Sequence, residues 1–322
     1  MMRLSGLRVL ITGGAGFIGS HLVDALAEHN EVVVLDDLSS GRMENISHHM
    51  DEEGFTFIRG SIFDEHALRR ACEGVDIVFH LAANPEVRIG AQDTWVHIEQ
   101  NVLATHRLLE QMRCEGIREI AFTSTSTVYG EAEVIPTPES YGPLIPISTY
   151  GASKLACEAL ICAYCHSFSM RSWIFRFANI VGLRSRHGVI HDFIQKLLEN
   201  PSRLEILGDG TQKKSYLYVR DCVDAILHSI ESAQEDVNIF NIGSDDTTEV
   251  NRIAELVLDE MGLEDVEIVY VNELDGRGWV GDVRHMLLSC EKLRRLGWVP
   301  NHTSEESVRC AIRDRLREVG YA

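Results

Sequence analysis

The chain has 322 residues, 45% of them hydrophobic and 25% charged, with a formal net charge of −19. That length holds one large domain or two modest ones, and the composition is that of an ordinary globular protein. So acidic a chain lacks the basic surface that replaces phosphate counterions, which excludes broad DNA or RNA binding while leaving room for a local basic pocket for one phosphorylated small molecule.

Residues 8–12 (RVLIT) form an apolar run too short for a helix, followed by a glycine-rich turn and a helix over 17–28. Further strands are read at 32–35, 55–58 and 77–80. A helix over 94–114 leads to a fifth strand at 119–123, and a helix over 148–167 leads to a sixth at 172–176. Continuous apolar strands separated by helices predict a parallel sheet covered on both faces, an α/β, doubly wound (Rossmann) fold. After Arg176 the rhythm breaks. Prolines and loops gather at 131–146 and 182–210, a further strand is read at 238–241, and the tail from Glu249 mixes helices with short strands before a final charged helix. The expected layout is a dinucleotide-binding domain of residues 1–176 plus about 217–245, with a smaller α/β substrate lobe of about 177–216 plus 246–322. Ligands of such sheets bind at the carboxyl ends of the strands, so the cleft between the two parts is the expected site. No repeat or low-complexity segment interrupts the pattern.

No basic-then-apolar leader precedes the first strand, and no apolar stretch approaches the ~18 residues that span a bilayer. The expectation is a cytoplasmic protein without a membrane partner. Its eight cysteines lie mostly in apolar or helical text and read as reduced, small hydrophobes. Cys162 and Cys165 form a C-x-x-C inside a helical pattern rather than at a strand-to-helix turn, and no second pair completes a zinc site. His187 and His191 stand four apart without a third ligand at sensible spacing, so no metal site is read.

The strongest motif is TGGAGFIG, residues 12–19, directly after a strand and opening a helix. Gly13 permits a tight turn, Gly16 lets the backbone approach a pyrophosphate, and Gly19 lets helix and strand pack closely. The helix N-terminus adds free N–H groups and a partial positive charge. The second strand ends in Asp36-Asp37, about 20 residues on, where an acid hydrogen-bonds the adenine ribose. A carboxylate there repels a 2′-phosphate, which favours NAD over NADP; Arg42, close by, is the counter-signal.

The second signal is Tyr150-Gly151-Ala152-Ser153-Lys154. Residues four apart share a helix face. A free tyrosine has a pKa near ~10, and a lysine ammonium together with a positive nicotinamide favours its phenolate. Tyr150 then reads as general base and Lys154 as its tuner and ribose holder. The strand at 119–123 runs into hydroxyl-rich text, residues 123–127, from which a hydroxyl could reach the same substrate oxygen. His80, ending a buried strand, reads as structural and hydrogen-bonded.

These residues, with His80-Leu81-Ala82-Ala83, Asn101 and the STSTVYG run at 124–130, resemble the extended short-chain dehydrogenase/reductase superfamily over nearly the whole chain. The runs at 176–182, 204–210 and 216–221 are similar to its nucleotide-sugar members, above all the UDP-glucose 4-epimerase branch. The resemblance implies NAD contacts from Gly13, Gly16, Phe17, Ile18 and Gly19; from Asp36, Asp37, Ser39 and Arg42; from Ser61 and Ile62; from Leu81, Ala82 and Ala83; and from Asn101, Thr123, Tyr150 and Lys154. Ser61 stands where the family often has an adenine-contacting Asp. Thr125, Tyr150 and Lys154 match the catalytic set, and Thr125, Asn179, Val189, Lys214 and Arg277 match the UDP-sugar contacts. Lys214 replaces the usual Arg and brings a point charge without a bidentate fork; Ser215 replaces the Asp that usually follows.

The related 4,6-dehydratases carry Asp-Glu after the catalytic Thr, and the UDP-glucuronate decarboxylases a Glu two positions after it. Ser126 and Thr127 stand there in this chain. The implied reaction is therefore oxidation and re-reduction at one carbon, C4 of a UDP-hexose, through a transient 4-keto sugar. A dehydratase, decarboxylase or reductase on the same scaffold is the alternative, and a non-catalytic NAD-sensing regulator a more distant one. The helices near 94–114 and 148–167 resemble those through which the superfamily forms homodimers; plain core packing is the other reading. Glucose, galactose, their N-acetyl forms and glucuronate differ by a few atoms, and the wall near Met286 is where a choice would be made.

Overall fold

The structure, a computed structural model, describes residues 4–271 and 283–321. In chain order, β1 (Arg8–Thr12), α1 (Phe17–Ala27), β2 (Glu31–Asp36), β3 (Phe55–Arg59), α2 (Glu65–Cys72) and β4 (Ile77–His80) make the first half of a doubly wound unit. Next, α3 (Trp95–His97) runs through a π-helical stretch at Ile98–Leu103 into α4 (Ala104–Glu115). β5 (Glu119–Thr125), α5 (Thr149–Phe168) and β6 (Arg171–Phe177) follow. The later elements are β7 (Asn179–Val181), α6 (Val189–Glu199), β8 (Arg203–Leu207), β9 (Lys213–Lys214), β10 (Tyr216–Tyr218), α7 (Val219–Ser232), β11 (Val237–Ile242), β12 (Thr248–Glu249), α8 (Val250–Met261), β13 (Glu267–Val271), β14 (His285–Met286), α9 (Glu291–Arg295) and α10 (Ser304–Glu318).

Seven strands form one parallel sheet in the order β3-β2-β1-β4-β5-β6-β11. The order reverses between β1 and β4, which places a crevice at their carboxyl ends. The strands alternate side chains between faces, as the pleat requires. Val9, Ile11, Val32, Val34, Trp173 and Phe175 join Leu22 of α1 and Ile226 of α7 in one core layer. Leu10, Val33, Leu35, Val78, Ile120 and Ile174 join Leu68, Leu108 and Ile161 of α2, α4 and α5 in the other. Both faces are therefore dry, which is why the strands read as unbroken apolar runs. A separate cluster built on Phe193, Ile194, Leu204, Ile253, Val257, Val308 and Ile312 binds α6, α8 and α10 together. Around it lie the small sheets β7–β10, β8–β13 and β12–β9–β14.

Two differences from the sequence reading concern helices. The expected helix over 94–114 is interrupted by the π-helical stretch, a local widening that hydrophobic periodicity does not signal. The reading also names none of α2, α6 and α7, and it places loops over 182–210, where α6 and β8 stand. Yet α2 has a clear start signal, since the Asp64 carboxylate accepts the N–H groups of His66 and Ala67 at 3.0 Å each. Among the described residues, no helix is long and apolar enough to cross a membrane.

Candidate active site

The turn after β1 is built by what its glycines leave out. Gly13 has φ of +73°, a left-handed conformation, and a Cβ there would stand 2.7 Å from the Ala82 nitrogen. The turn thus touches the loop after β4 across the crevice. A Cβ on Gly19 would collide with the Gly13 carbonyl, so α1 packs hard against the turn. Gly16 is the N-cap residue of α1 and supplies no side-chain cap; the first turn of the helix holds no acidic residue. Its leading N–H groups, those of Phe17 and Ile18 first, have no intrahelical acceptor. A turn and helix start of this kind fit a pyrophosphate.

Beside this turn runs the loop after β2, a candidate wall for an adenosine half. Asp36 is buried, and its two carboxylate oxygens accept the N–H of Ala15 at 3.0 Å and of Leu38 at 2.8 Å. Burial raises its carboxyl above the ordinary value, with the two N–H donors opposing and the Asp37 charge adding a little. A carboxylate has about four acceptor positions, so two are left for ribose hydroxyls. Asp37 accepts the Ser39 N–H at 2.9 Å, and Arg42 donates its backbone N–H to Ala15 at 2.9 Å. Ile62 is buried next to the half-buried Ser61, whose hydroxyl accepts the Phe63 N–H.

At the switch point, His80 is buried and lies 2.8 Å from the Thr12 hydroxyl through Nδ1 and 3.0 Å from the Thr105 hydroxyl through Nε2. Burial, with the Lys154 ammonium nearby, holds its imidazole down to about 3, so the ring is neutral and structural. Thr12 also accepts the Ala82 N–H at 3.3 Å, which fixes the Leu81–Ala83 loop. Asn101, in the π-helical stretch, accepts the Asn84 N–H at 2.8 Å and donates to the Ser153 hydroxyl at 2.9 Å. Buried and engaged at both ends, its amide braces the loop after β4 against α5.

The end of β5 and the start of α5 bring the expected catalytic residues together. Ser148 caps α5 by accepting the Gly151 N–H at 3.0 Å, which places Tyr150 and Lys154 in the first two turns on one face. Lys154 is buried, donates to the Thr123 carbonyl at 2.9 Å and lies 4.8 Å over the Phe122 ring. Burial lowers its ammonium to about 8, against the Cys157 and Glu158 charges. Thr125 accepts the Thr127 N–H, and its hydroxyl stands 3.1 Å from that of Thr127. The phenol of Tyr150 is pushed above its ordinary value by burial, with the Cys157 thiol adding slightly. The expected phenolate rests on the Lys154 ammonium and the positive nicotinamide together, and the latter acts only with NAD bound. The Lys154 ammonium head is turned to the Thr123 carbonyl.

Three features of the site were not visible in the sequence. His97 is fully buried and sits edge-on to Tyr150 with ring centroids 5.6 Å apart. It contacts the Thr149 hydroxyl at 2.9 Å and the Glu86 carbonyl at 3.1 Å, so it sets the ring that precedes the chemistry. Next, Glu158, one turn beyond Lys154, accepts from the Ser124 hydroxyl and forms a buried pair with Arg176, whose Nη2 is 2.7 Å away. Arg176 continues to the Tyr129 hydroxyl at 3.0 Å, and Tyr129 donates to Asn241 at 2.7 Å. Successive residues of β5 thus hold Lys154 through a carbonyl, Glu158 through a hydroxyl, and Thr125 at the mouth. Only partners distant in sequence could reveal this. Third, Ser215 accepts the Ser244 N–H at 3.0 Å while its carbonyl accepts the Asn179 amide at 3.2 Å, which ties β7 to the loop after β11.

On the substrate side, Val189 is half-buried at the first turn of α6, and Asn179 opens β7. Lys214 pairs in register with Met286 of β14 and Thr248 of β12, which sets Met286 beside the candidate phosphate cation. Arg277 lies outside the described residues. All eight cysteines are free thiols, Cys162 and Cys165 among them on α5.

A dinucleotide cradle at the switch point, facing a tyrosine, a lysine and a threonine at the ends of β5 and α5, defines a nicotinamide-dependent enzyme of the short-chain type. Residues 9–243 match the model of the NAD dependent epimerase/dehydratase family, and the chain belongs to that family. Its cofactor is NAD. The chain is 33% identical, over 94% of its length and 96% of the relative's, to UDP-glucose 4-epimerase of Mycolicibacterium smegmatis. A crystal structure of UDP-galactose 4-epimerase is 43% identical, with a TM-score of 0.85 over 97% of this chain and 100% of the other. DesIV, a dTDP-glucose 4,6-dehydratase from Streptomyces venezuelae solved with NAD and TYD bound, is 28% identical, with a TM-score of 0.89 over 98% of both chains.

Proposed function

We propose that the chain inverts C4 of a UDP-hexose, in the manner of a UDP-glucose/UDP-galactose 4-epimerase. The observation that carries this reading is the turn after β5. Ser126 and Thr127 follow Thr125 there, and the Thr125 hydroxyl stands 3.1 Å from another hydroxyl, that of Thr127. Elimination across C5–C6 needs a further acid and base at this place. Glu158 cannot supply them, because it is buried against Arg176 and Ser124.

NAD, held by Gly13–Gly19, Asp36 and the Leu81–Ala83 loop, supplies an acceptor and donor of hydride when bound. The residues of the chain do the rest. Tyr150 takes the proton of the sugar 4-OH and later returns it. Lys154 stabilises the phenolate by its charge, and Thr125 hydrogen-bonds the same oxygen. Asn179 and Lys214, with Arg277, hold the diphosphate, while the sugar is held loosely enough to present either face. His97 and Asn101 position Tyr150 and the loop after β4. In this reading, residues 1–176 plus about 217–245 bind the cofactor, and about 177–216 plus 246–322 bind the nucleotide sugar. The chain also forms a homodimer. Trp95 (57% exposed), Ile98 (40%) and Leu103 (40%) beside α4 support this, as they are large apolar side chains left on the surface of that helix pair.

The test is a panel of UDP-sugars, including UDP-glucose, UDP-galactose, their N-acetyl forms and UDP-glucuronate, incubated with the purified chain and read by proton NMR. The expected product is the C4 epimer of at least one of them. A 4-keto-6-deoxy sugar or a pentose as the product would overturn the reading.

A further inference from the structure

A second cluster lies outside this site, on the far half of α1. Asp24 projects from that helix, and His48 and His49 come from the short turn Ser47–His49. The Nε2 atoms of both histidines stand 2.9 Å from the same atom, Oδ1 of Asp24. Tetrahedral ligands held at about 2.1 Å from a zinc ion stand about 3.4 Å apart, so the two Nε2–Oδ1 hydrogen bonds would open by about 0.5 Å to admit one ion, and the three ligand atoms already lie within 4.8 Å of one another. On its other side, His49 Nδ1 lies 2.6 Å from Oε2 of Glu52. A carboxylate behind a ligating imidazole is the usual outer partner that fixes ring and tautomer.

The charges ask for a cation. Both nitrogens of His49 face carboxylate oxygens, and the ring is buried, packed on Phe55 at 5.5 Å. The His48 ring lies 4.1 Å from it, tilted by 41°, and both rings present Nε2 to the same Asp24 oxygen. Arg184 occupies the other oxygen of Asp24 at 2.8 Å. It restricts Asp24 to one ligand atom and weakens cation binding without blocking Oδ1. His48 is half exposed, so water can reach the open position.

We infer that Asp24, His48 and His49 form a binding site for one divalent cation of the zinc class, with Glu52 as the outer partner of His49. Two imidazoles and one carboxylate suit zinc, nickel or copper rather than magnesium or calcium. The site would tie α1, whose other end forms the cofactor turn, to the segment that follows the Asp36–Arg42 loop. Asn45 already joins these parts by donating to the Ala15 carbonyl at 2.8 Å. Asp24 lies far from the histidines in sequence, which is why ligand spacing along the chain pointed to no metal.

The test is calorimetric titration of the full chain with zinc chloride, without a polyhistidine tag and with the thiols kept reduced by a phosphine. One equivalent is expected to bind at pH 8, and about tenfold or more weaker at pH 6, because zinc must displace ring protons. The exposed position makes His48→Ala harmless to folding, and it should weaken uptake at least tenfold. Glu52→Gln should weaken it by about 10–100-fold. Failure to bind one equivalent, or uptake unchanged in His48→Ala and in a His48→Ala/His49→Ala double variant with the native fold by circular dichroism, would overturn the inference. An anomalous difference peak at the zinc edge between these three side chains would support it.

Discussion

Replacing Lys154 by Met keeps the length of the side chain and removes its charge. Residues four apart on a helix stand about 6 Å apart, and at an effective dielectric of about 20 two unit charges at that distance interact by about 2.8 kcal/mol. That is about two pK units, so at pH 7 the phenolate of Tyr150, already disfavoured by burial, becomes about 100-fold scarcer. The expected result is a fall in turnover of about 100-fold at pH 7. The wild-type ammonium is lowered to about 8, so its charge is present below that pH and lost above it. The wild-type rate should therefore level off above about pH 8, while the variant rate should keep climbing about tenfold per pH unit as hydroxide ionises the phenol directly. Stability gives the opposite sign. A buried lysine lowered from 10.5 to about 8 destabilises the fold below that window, and wild-type stability should rise between about pH 8 and 10.5. Lys154→Met removes that dependence, and its melting temperature should hold or rise even with the Thr123 carbonyl losing its donor. Turnover within threefold of wild type at pH 7, or a loss that tracks a lowered melting temperature, would refute the reasoning.

Asp36→Ala should weaken NAD binding by roughly 10–100-fold, the worth of one or two hydrogen bonds to a charged group; fluorescence titration with NAD and NADP checks it, and wild-type protein that prefers NADP would contradict it. Glu158→Ala leaves the Arg176 guanidinium buried without its partner, and urea denaturation should show a loss of about 3–5 kcal/mol. Ile98→Glu should convert a dimer into a monomer by light scattering; a wild-type chain that is already monomeric would remove the dimer proposal.

The sheet was legible because its strands are buried on both faces. Runs such as VVVL at 32–35 and IVFH at 77–80 have no other reading, and β1 to β6 and β11 fall where they were expected. The glycine turn, Asp36 and the Tyr150–Lys154 pair were legible because their chemistry depends on short spacings. The two-residue strands β9, β12 and β14 carry no period to detect, and they set Lys214 against Met286 only through tertiary packing. His97, Glu158 and Arg176 were silent because each is defined by a partner on another element. The surroundings of the Tyr150 phenol were silent for the same kind of reason. Spacing shows that an ammonium is near, but only coordinates show that burial raises the phenol and that Nζ is turned to Thr123.

The most direct measurement is the fate of a deuterium placed at C4 of UDP-glucose. With Tyr150 exchanging only the hydroxyl proton and no carboxylate at positions 126 and 127, the hydrogen on carbon should leave and return to the same atom, giving a C4 epimer that keeps its label at C4. Deuterium found at C6, or lost to solvent, would contradict the account.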